Sequence, residues 1–346
     1  MDSPVKLRRH GPVAMIETDN PPVNALSRQV RDGLVAAVGE AARSDAAAIL
    51  LHCAGRTFFS GADISELDRP IEGAGLLALA EACAVAPQPV VAGLHGSVLG
   101  GGVVVAYCAD VRIAAPGTKF GLPEVKLGLL ATFGGTQFLP RLLGLTAAMD
   151  LLLGGEPIPA DEALRIGMID GIAEGDLLAA ALARAAEQPA KRPVARLGWQ
   201  EGDLSEGAAL LDRLEGDLAV RAPGWEAPLA TIAAVRAGLL GGLEAGLVEE
   251  ARLFEELKQS RQSAVLRRLF FAERKLARAG LTDQQIELLF AASGGPFDPA
   301  CEQAQRAAIR AIGAEPFGGA DLADAAVVRT LGWPIWKADL FAHELD

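Results

Sequence analysis

Two stretches of this chain carry residue types that could move charge and protons at a carbon centre. The first is Gly100-Gly101-Gly102, directly before the apolar run Val103 to Cys108. Three glycines there suit a backbone that turns sharply into a short buried helix and leaves its N–H groups open to close approach, with the helix start adding positive dipole character. Such a turn favours a developing anion; a plain glycine turn is the alternative. The second stretch is Phe120-Gly121-Leu122-Pro123-Glu124, followed by Gly134-Gly135-Thr136-Gln137. Pro123 fixes the backbone ahead of Glu124, and its sequence neighbours Leu122, Val125, Leu127, Leu129 and Leu130 are apolar. A carboxylate in such surroundings has its charged form disfavoured, so its pKa rises toward the range of general acid–base work. Spacing alone equally allows a surface glutamate on a loop between strand and helix.

The elements that must position these groups alternate between strand and helix. Residues 5–18 read as a β-hairpin about His10-Gly11-Pro12, and Ser27 can cap a helix that runs to about Ala42. A strand over Ala48 to His52 leads into Phe58-Phe59-Ser60-Gly61-Ala62-Asp63-Ile64. A helix over Gly73 to Ala86 and a strand over Pro89 to Leu94 follow, then the glycine turn and the alternating segment Val111 to Ala114. Further helices are expected over Phe138 to Leu142, over Thr146 to Leu153, and from Pro159 or Asp161 onward. This is an α/β pattern.

LGGG, about twenty residues before FGLPEVKLGL and GGTQ, together with PPVNALS and FFSGADISEL, resembles the crotonase (enoyl-CoA hydratase/isomerase) superfamily. The similarity is greatest to the hydratase/isomerase part of the multifunctional fatty-acid β-oxidation enzymes. It implies a ββα spiral core, within an α/β fold class, followed by an all-helical C-terminal region. In that family the backbone N–H after the SG pair and that of the middle glycine hold the acyl thioester oxygen. Carried over by position, the donors are Ala62 and Gly101, with Glu124 as the proton carrier. The surrounding loops embrace the substrate, which brings in Asn24, Ala25, Ser60, Gly61, Asp63, Ile64, Gly100, Val104, Thr132 and Phe133. No cofactor is implied beyond the CoA carried by the substrate.

Two departures from the pattern bear on the chemistry. Hydratases of this family use two glutamates to hold and split a water; the second is Glu124, and the first falls on Val104, which cannot exchange a proton. Where related hydratases have PGAGG, this chain has Ala131-Thr132-Phe133-Gly134-Gly135, which brings bulk toward the pocket. One carboxylate suffices to move a proton between two carbons, so the resemblance points to Δ3-Δ2-enoyl-CoA isomerisation. The alternatives are a hydratase that recruits Asp63 or Glu66 as its second acid, and a non-catalytic acyl-CoA-binding subunit.

The core resemblance assigns residues 1–190 to the catalytic domain. A connecting segment is expected over 191–226, linker helices packing on the core over 227–279, and a small helical region over 280–346 with patterns at 282–292, 299–313 and 320–331. No GxGxxG appears past Lys275, so a nicotinamide-binding domain is expected to be absent. Relatives form trimers, and the added helices could cover the trimer surface, so trimer and monomer both stand.

With 346 residues and a hydrophobic content of 51%, the chain can bury a large core. Its net charge of −12 argues against nucleic-acid partners and anionic membranes, and no apolar run reaches the roughly twenty residues of a membrane span. Cys53, Cys83, Cys108 and Cys301 lack CxxC spacing and read as reduced, buried thiols; the four histidines are scattered, so no metal site is expected. His95 reads as a packed structural histidine. The start of the chain lacks a secretory pattern, which gives a cytoplasmic expectation.

Overall fold

The computed structural model describes residues 3–63, 66 and 72–279, with isolated helical positions between 303 and 328. Ile64, the stretch 282–292 and most of 299–313 and 320–331 lie outside the described residues. The described residues divide between two compact units. One falls within Met1–Val125, Leu130–Arg221 and Pro228–Phe254, the other within Lys126–Leu129, Ala222–Ala227 and Glu255–Asp346.

The first unit is built on a six-stranded sheet. In chain order the strands are β1 (Val5–His10), β2 (Val13–Thr18), β3 (Ala48–Cys53), β4 (Val90–Leu94), β5 (Ser97–Leu99), β6 (Val111–Ala114), β7 (Lys119–Gly121), β8 (Ile158–Pro159) and β9 (Gly171–Ile172). The large sheet has the order β1-β2-β3-β4-β6-β9, and β5-β7-β8 form a second, smaller one. The expected hairpin is present, with β1 antiparallel to β2 from Val5↔Thr18 to His10↔Val13; the other pairs of the large sheet are parallel. The small sheet escapes sequence reading because its strands are only two or three residues long.

Strands β2 to β4 read as nearly unbroken apolar runs because both faces of a parallel sheet are covered. Ala14, Ile16, Ile49, Leu51, Val90 and Ala92 point to one core, which they share with α1 (Arg28–Ala42), α2 (Leu76–Val85) and α3 (Gly101–Tyr107). Met15, Leu50, Val91 and Val111 point to the other. The helices that follow are α4 (Gly135–Leu143), α5 (Leu145–Gly154), α6 (Ala160–Arg165) and α7 (Leu177–Ala186), then α8 (Asp203–Arg221), α9 (Glu226–Gln259) and α10 (Arg261–Ala279). Ala181 and Ala185 of α7 close the second core. The segment 191–226, read as connecting, contributes Val194 and Leu211 to the first core.

Ser27 does occupy the N-cap of α1, but its side chain makes no capping bond. Glu66 does this work instead. Its Oε1 accepts from Arg28 N at 2.8 Å, and its Oε2 pairs with Arg31 Nη1 at 2.9 Å. A carboxylate at a helix N-terminus is favoured by the dipole, and this one ties the loop after Ala62 to α1.

The apolar stretch of α9 is broken at Gly242 (φ 87°, ψ 177°), so it forms two shorter helices. The two arms meet closely: a β-carbon added at Gly246 would sit 2.7 Å from Gly238 Cα, and one at either glycine would overlap Gln137 Oε1. Gln137 is fully buried, and its Nε2 donates to Ala234 O (2.9 Å) and Thr136 Oγ1 (3.0 Å). Gly246→Ala therefore has nowhere to place a methyl. It is expected to destabilise the fold by about 2–3 kcal/mol, as overpacking does. Gly154→Ala, with no neighbour within 4 Å of the new carbon, is expected to leave the melting temperature unchanged. Thermal melts of the two variants check this.

In the second unit, Ser263 Oγ donates to Leu127 O (3.0 Å) and Gln262 joins both Gly224 O and Glu226 N (2.9 Å each). Arg268 pairs with the buried Asp324 at 3.3 Å. Its core includes Leu257, Val265, Leu266, Leu269 and Val327.

Candidate active site

The start of α3 is set by backbone conformations that only glycine adopts easily. Gly100 sits at φ 52°, ψ −122°, and its N–H donates to Gly121 O at 2.8 Å, which anchors the helix start to the end of β7. A β-carbon at Gly102 would overlap the Phe59 carbonyl oxygen. The chain from Phe59 to Ala62 therefore lies directly against the first turn of α3, further held by Leu99 N donating to Phe59 O at 3.2 Å. Leu26 N donates to Gly61 O at 2.9 Å, and Leu26 and Ala62 form a parallel bridge.

These contacts bring the two expected amides together. A β-carbon added to Gly101 would sit 3.7 Å from Ala62 N. Gly101 is the first residue of α3, where a helix has no internal acceptor for its N–H. Among the described residues no acceptor takes the Ala62 amide.

Glu124 stands on the short 3-10 turn Pro123–Leu127 that follows β7. Its Oε1 would lie 2.6 Å from a β-carbon on Gly100, so the carboxylate fits only because that residue has none. The side chain as a whole is partly exposed, but Oε2 is itself buried and has no hydrogen-bond partner. Burial pushes the Glu124 carboxyl up to about 7, partly offset by its own backbone N–H. A group so poised can take a proton and return it near neutrality.

The remaining expected site residues fall around this centre. Asn24 is buried at φ 51°, and its side chain is fully engaged: Oδ1 accepts from Asn20 N (2.7 Å), and Nδ2 donates to Ala54 O and Thr57 O (2.8 Å each). It ties the loop after β2 to the loop after β3 rather than offering a free polar group. Ala25 O accepts from Asn20 Nδ2 (2.9 Å), and Ser60 N donates to Val23 O (3.4 Å). Asp63 is half-buried. Glu66 is committed to α1, which weighs against its serving as a second acid. Val104 is buried, with Cγ2 3.9 Å from a β-carbon placed on Gly135. Thr132 and Phe133 are half-buried, and Phe133 takes the left-handed φ of 58°.

Three participants escaped sequence reading. Leu26 and Leu76 close over Gly101, with side-chain carbons 3.0 and 3.3 Å from an added β-carbon. Glu250 of α9, 2% exposed, accepts from Gly134 N (2.7 Å), Thr136 N (3.0 Å) and Thr136 Oγ1 (2.6 Å), and also from the Thr132 side chain. Burial pushes its carboxyl up to about 7 against these donors. The available signal was its place on the stripe of Leu243, Leu247, Phe254 and Leu257, where a carboxylate needs a buried partner.

His95 packs near His52 (5.7 Å between ring centroids) with its Nε2 3.2 Å from Gly55 O. Cys53, Cys83 and Cys108 are buried free thiols whose pKa burial raises, so they are poor nucleophiles. No cluster of three metal-ligating side chains occurs among the described residues. A cavity between the flanking loops is lined by Asp19, Pro21, Pro22, Asn24, Ala54, Gly55 and Arg56.

The model of the enoyl-CoA hydratase/isomerase family matches residues 8–198. The peroxisomal bifunctional enzyme of Danio rerio is 38% identical over 267 residues, covering 76% of this chain and 37% of the fish protein. The peroxisomal bifunctional enzyme of Homo sapiens is 36% identical over 282 residues, covering 78% and 38%. This chain thus spans little more than a third of the length of these relatives. Among solved structures, carnitinyl-CoA hydratase from Mycobacterium avium superposes with a TM-score of 0.56 at 28% identity, covering 79% of this chain and 97% of that one.

Proposed function

The chain belongs to the enoyl-CoA hydratase/isomerase (crotonase) family, and from that premise we propose that it converts 3-enoyl-CoA to 2-enoyl-CoA with Glu124 as the sole proton carrier. The observation that carries this reading is the pairing of one buried, unpartnered carboxylate oxygen at Glu124 with the apolar Val104 where a hydratase would place its other glutamate. The Ala62 and Gly101 amides hold the thioester oxygen. Glu124 removes a proton from C2, and the electrons move onto that oxygen as the enolate forms, which the two amides stabilise. The same proton returns at C4 while the double bond shifts from C3–C4 to C2–C3. No proton is gained or lost overall, so one base suffices.

The cavity beside Arg56 supports a place for the phosphate-bearing part of CoA, since a guanidinium suits phosphate oxygens. The relatives named as multifunctional proteins of fatty acid beta-oxidation support that metabolic setting. An assay of 2- and 3-enoyl-CoAs of several chain lengths tests the reading. Isomerisation is expected to exceed water addition to crotonyl-CoA by at least about 100-fold, the scale of one acid–base group. Val104→Glu restores the second carboxylate and is expected to raise hydration at least about 10-fold. Hydration by the wild type at a rate matching isomerisation would overturn the assignment in favour of a hydratase.

A further inference from the structure

Resting on the acyl-CoA reading, we propose that Glu250 is a positioning residue: it fixes the turn Thr132–Gly134 so that Phe133 walls the acyl end of the site, which makes it a determinant of acyl-chain length. Phe133 holds φ 58°, a region that a bulky non-glycine residue occupies only when its surroundings over-determine it. Glu250 grips the turn from both sides. The Thr132 side chain donates to it before Phe133, and Gly134 N donates to Oε1 just after it. Oε2 takes Thr136 N and Thr136 Oγ1 in the first turn of α4. Charge-assisted bonds to both oxygens of one planar group fix orientation as well as distance.

The consequence is where the ring goes. Phe133 Cε1 would lie 3.3 Å from a β-carbon on Gly75, at the N-terminus of α2, and the next residue, Leu76, reaches to 3.3 Å from one on Gly101. The amide pair, Leu76 and Phe133 therefore stand in series. An acyl chain leaving a thioester carbon at Gly101 meets Leu76 and then the aromatic ring. Glutamine at 250 would turn an NH2 toward amide or hydroxyl donors, and the turn would lose its hold on Phe133.

The test is calorimetric binding of saturated butanoyl-CoA and decanoyl-CoA to the full chain. The wild type is expected to favour the shorter ligand about 10-fold. Phe133→Ala should bring the two to near parity, Glu250→Gln should move the ratio at least about 5-fold the same way, and the double variant should go no further than Phe133→Ala alone, because residues acting through one another are not additive. Thr132→Val, which removes one donor from Glu250 and is milder for folding, should shift the ratio less in the same direction. In steady-state assays Glu250→Gln should raise KM for the short substrate more than it lowers kcat. An unchanged ratio in folded Glu250→Gln or Thr132→Val, or full additivity in the double variant, overturns the role of Glu250. A wild type that binds neither ligand overturns the acyl-CoA reading itself.

Discussion

Glu124→Gln is expected to lower isomerase turnover by about 10³–10⁴-fold, the upper range for a single acid–base group, because no second carboxylate stands at Val104 to take over. Acyl-CoA affinity should be nearly unchanged, since glutamine keeps the shape of the side chain against Gly100. The wild-type rate should rise with pH through one ionisation near 7, where burial holds the Glu124 carboxyl. Only the ionised form accepts the proton from C2. The same shift has a stability sign. The folded-state pKa lies above the ordinary value of 4.5, so the folded protein binds the extra proton between those two values. Stability from this proton is complete below 4.5 and is lost as pH rises through 7. At pH 8 the wild type therefore carries a buried charge that Glu124→Gln lacks. The variant should be more stable there by on the order of 1–3 kcal/mol, with the difference vanishing near pH 4. Glu250 shifts in the same direction but is common to both proteins and drops out. Residual turnover above a tenth of wild type, or a flat pH profile, would remove Glu124 from the mechanism.

Gly102→Ala should lower both turnover and stability. The new carbon would overlap the Phe59 carbonyl oxygen, which is main chain and cannot rotate away, and would lie 2.9 Å from Phe59 C. Either α3 or the loop segment Phe59–Ala62 must retreat, and the distance between the Ala62 and Gly101 amides changes with it. Loss of one such donor lowers turnover by about 10²–10³-fold, and the overpacking adds a destabilisation of about 1–3 kcal/mol. The two effects separate experimentally. At a temperature where the variant is folded by circular dichroism, kcat should still be down at least about 100-fold while the pH profile keeps its single ionisation near 7. A folded variant with near-native kcat would show that the amide pair does not stabilise the developing oxyanion.

The groups proposed to carry the chemistry stand out in the sequence because local sequence dictates their setting. Gly100 to Gly102 must be glycine for close approach, Glu124 follows a proline, and β2 to β4 announce a covered parallel sheet by composition. What sequence could not show is long-range pairing. Ser27 looked like the cap of α1, yet the acceptor comes from Glu66, 38 residues away. The stretch 227–279 read as linker helices, but the place of the break, at Gly242 with φ 87°, comes only from the structure. Asn24 looked like a polar contact for a ligand, yet its amide is committed to Ala54 and Thr57. In each case a side chain chose between a local partner and a distant one, and only the three-dimensional arrangement decides that choice.

The hydrogen bonds that seat the first turn of α4 run from residues 134–137 to acceptors at Ala234 and Glu250, spans of 97 to 116 residues. A ribosome making this protein completes Ala62, Gly101 and Glu124 long before those acceptors exist. Until they emerge, the amides of Gly134 and Thr136 have only water to bind. Folding during synthesis therefore cannot complete the start of α4 at the end of the family-matching segment near residue 198; the two arms of α9 must emerge first.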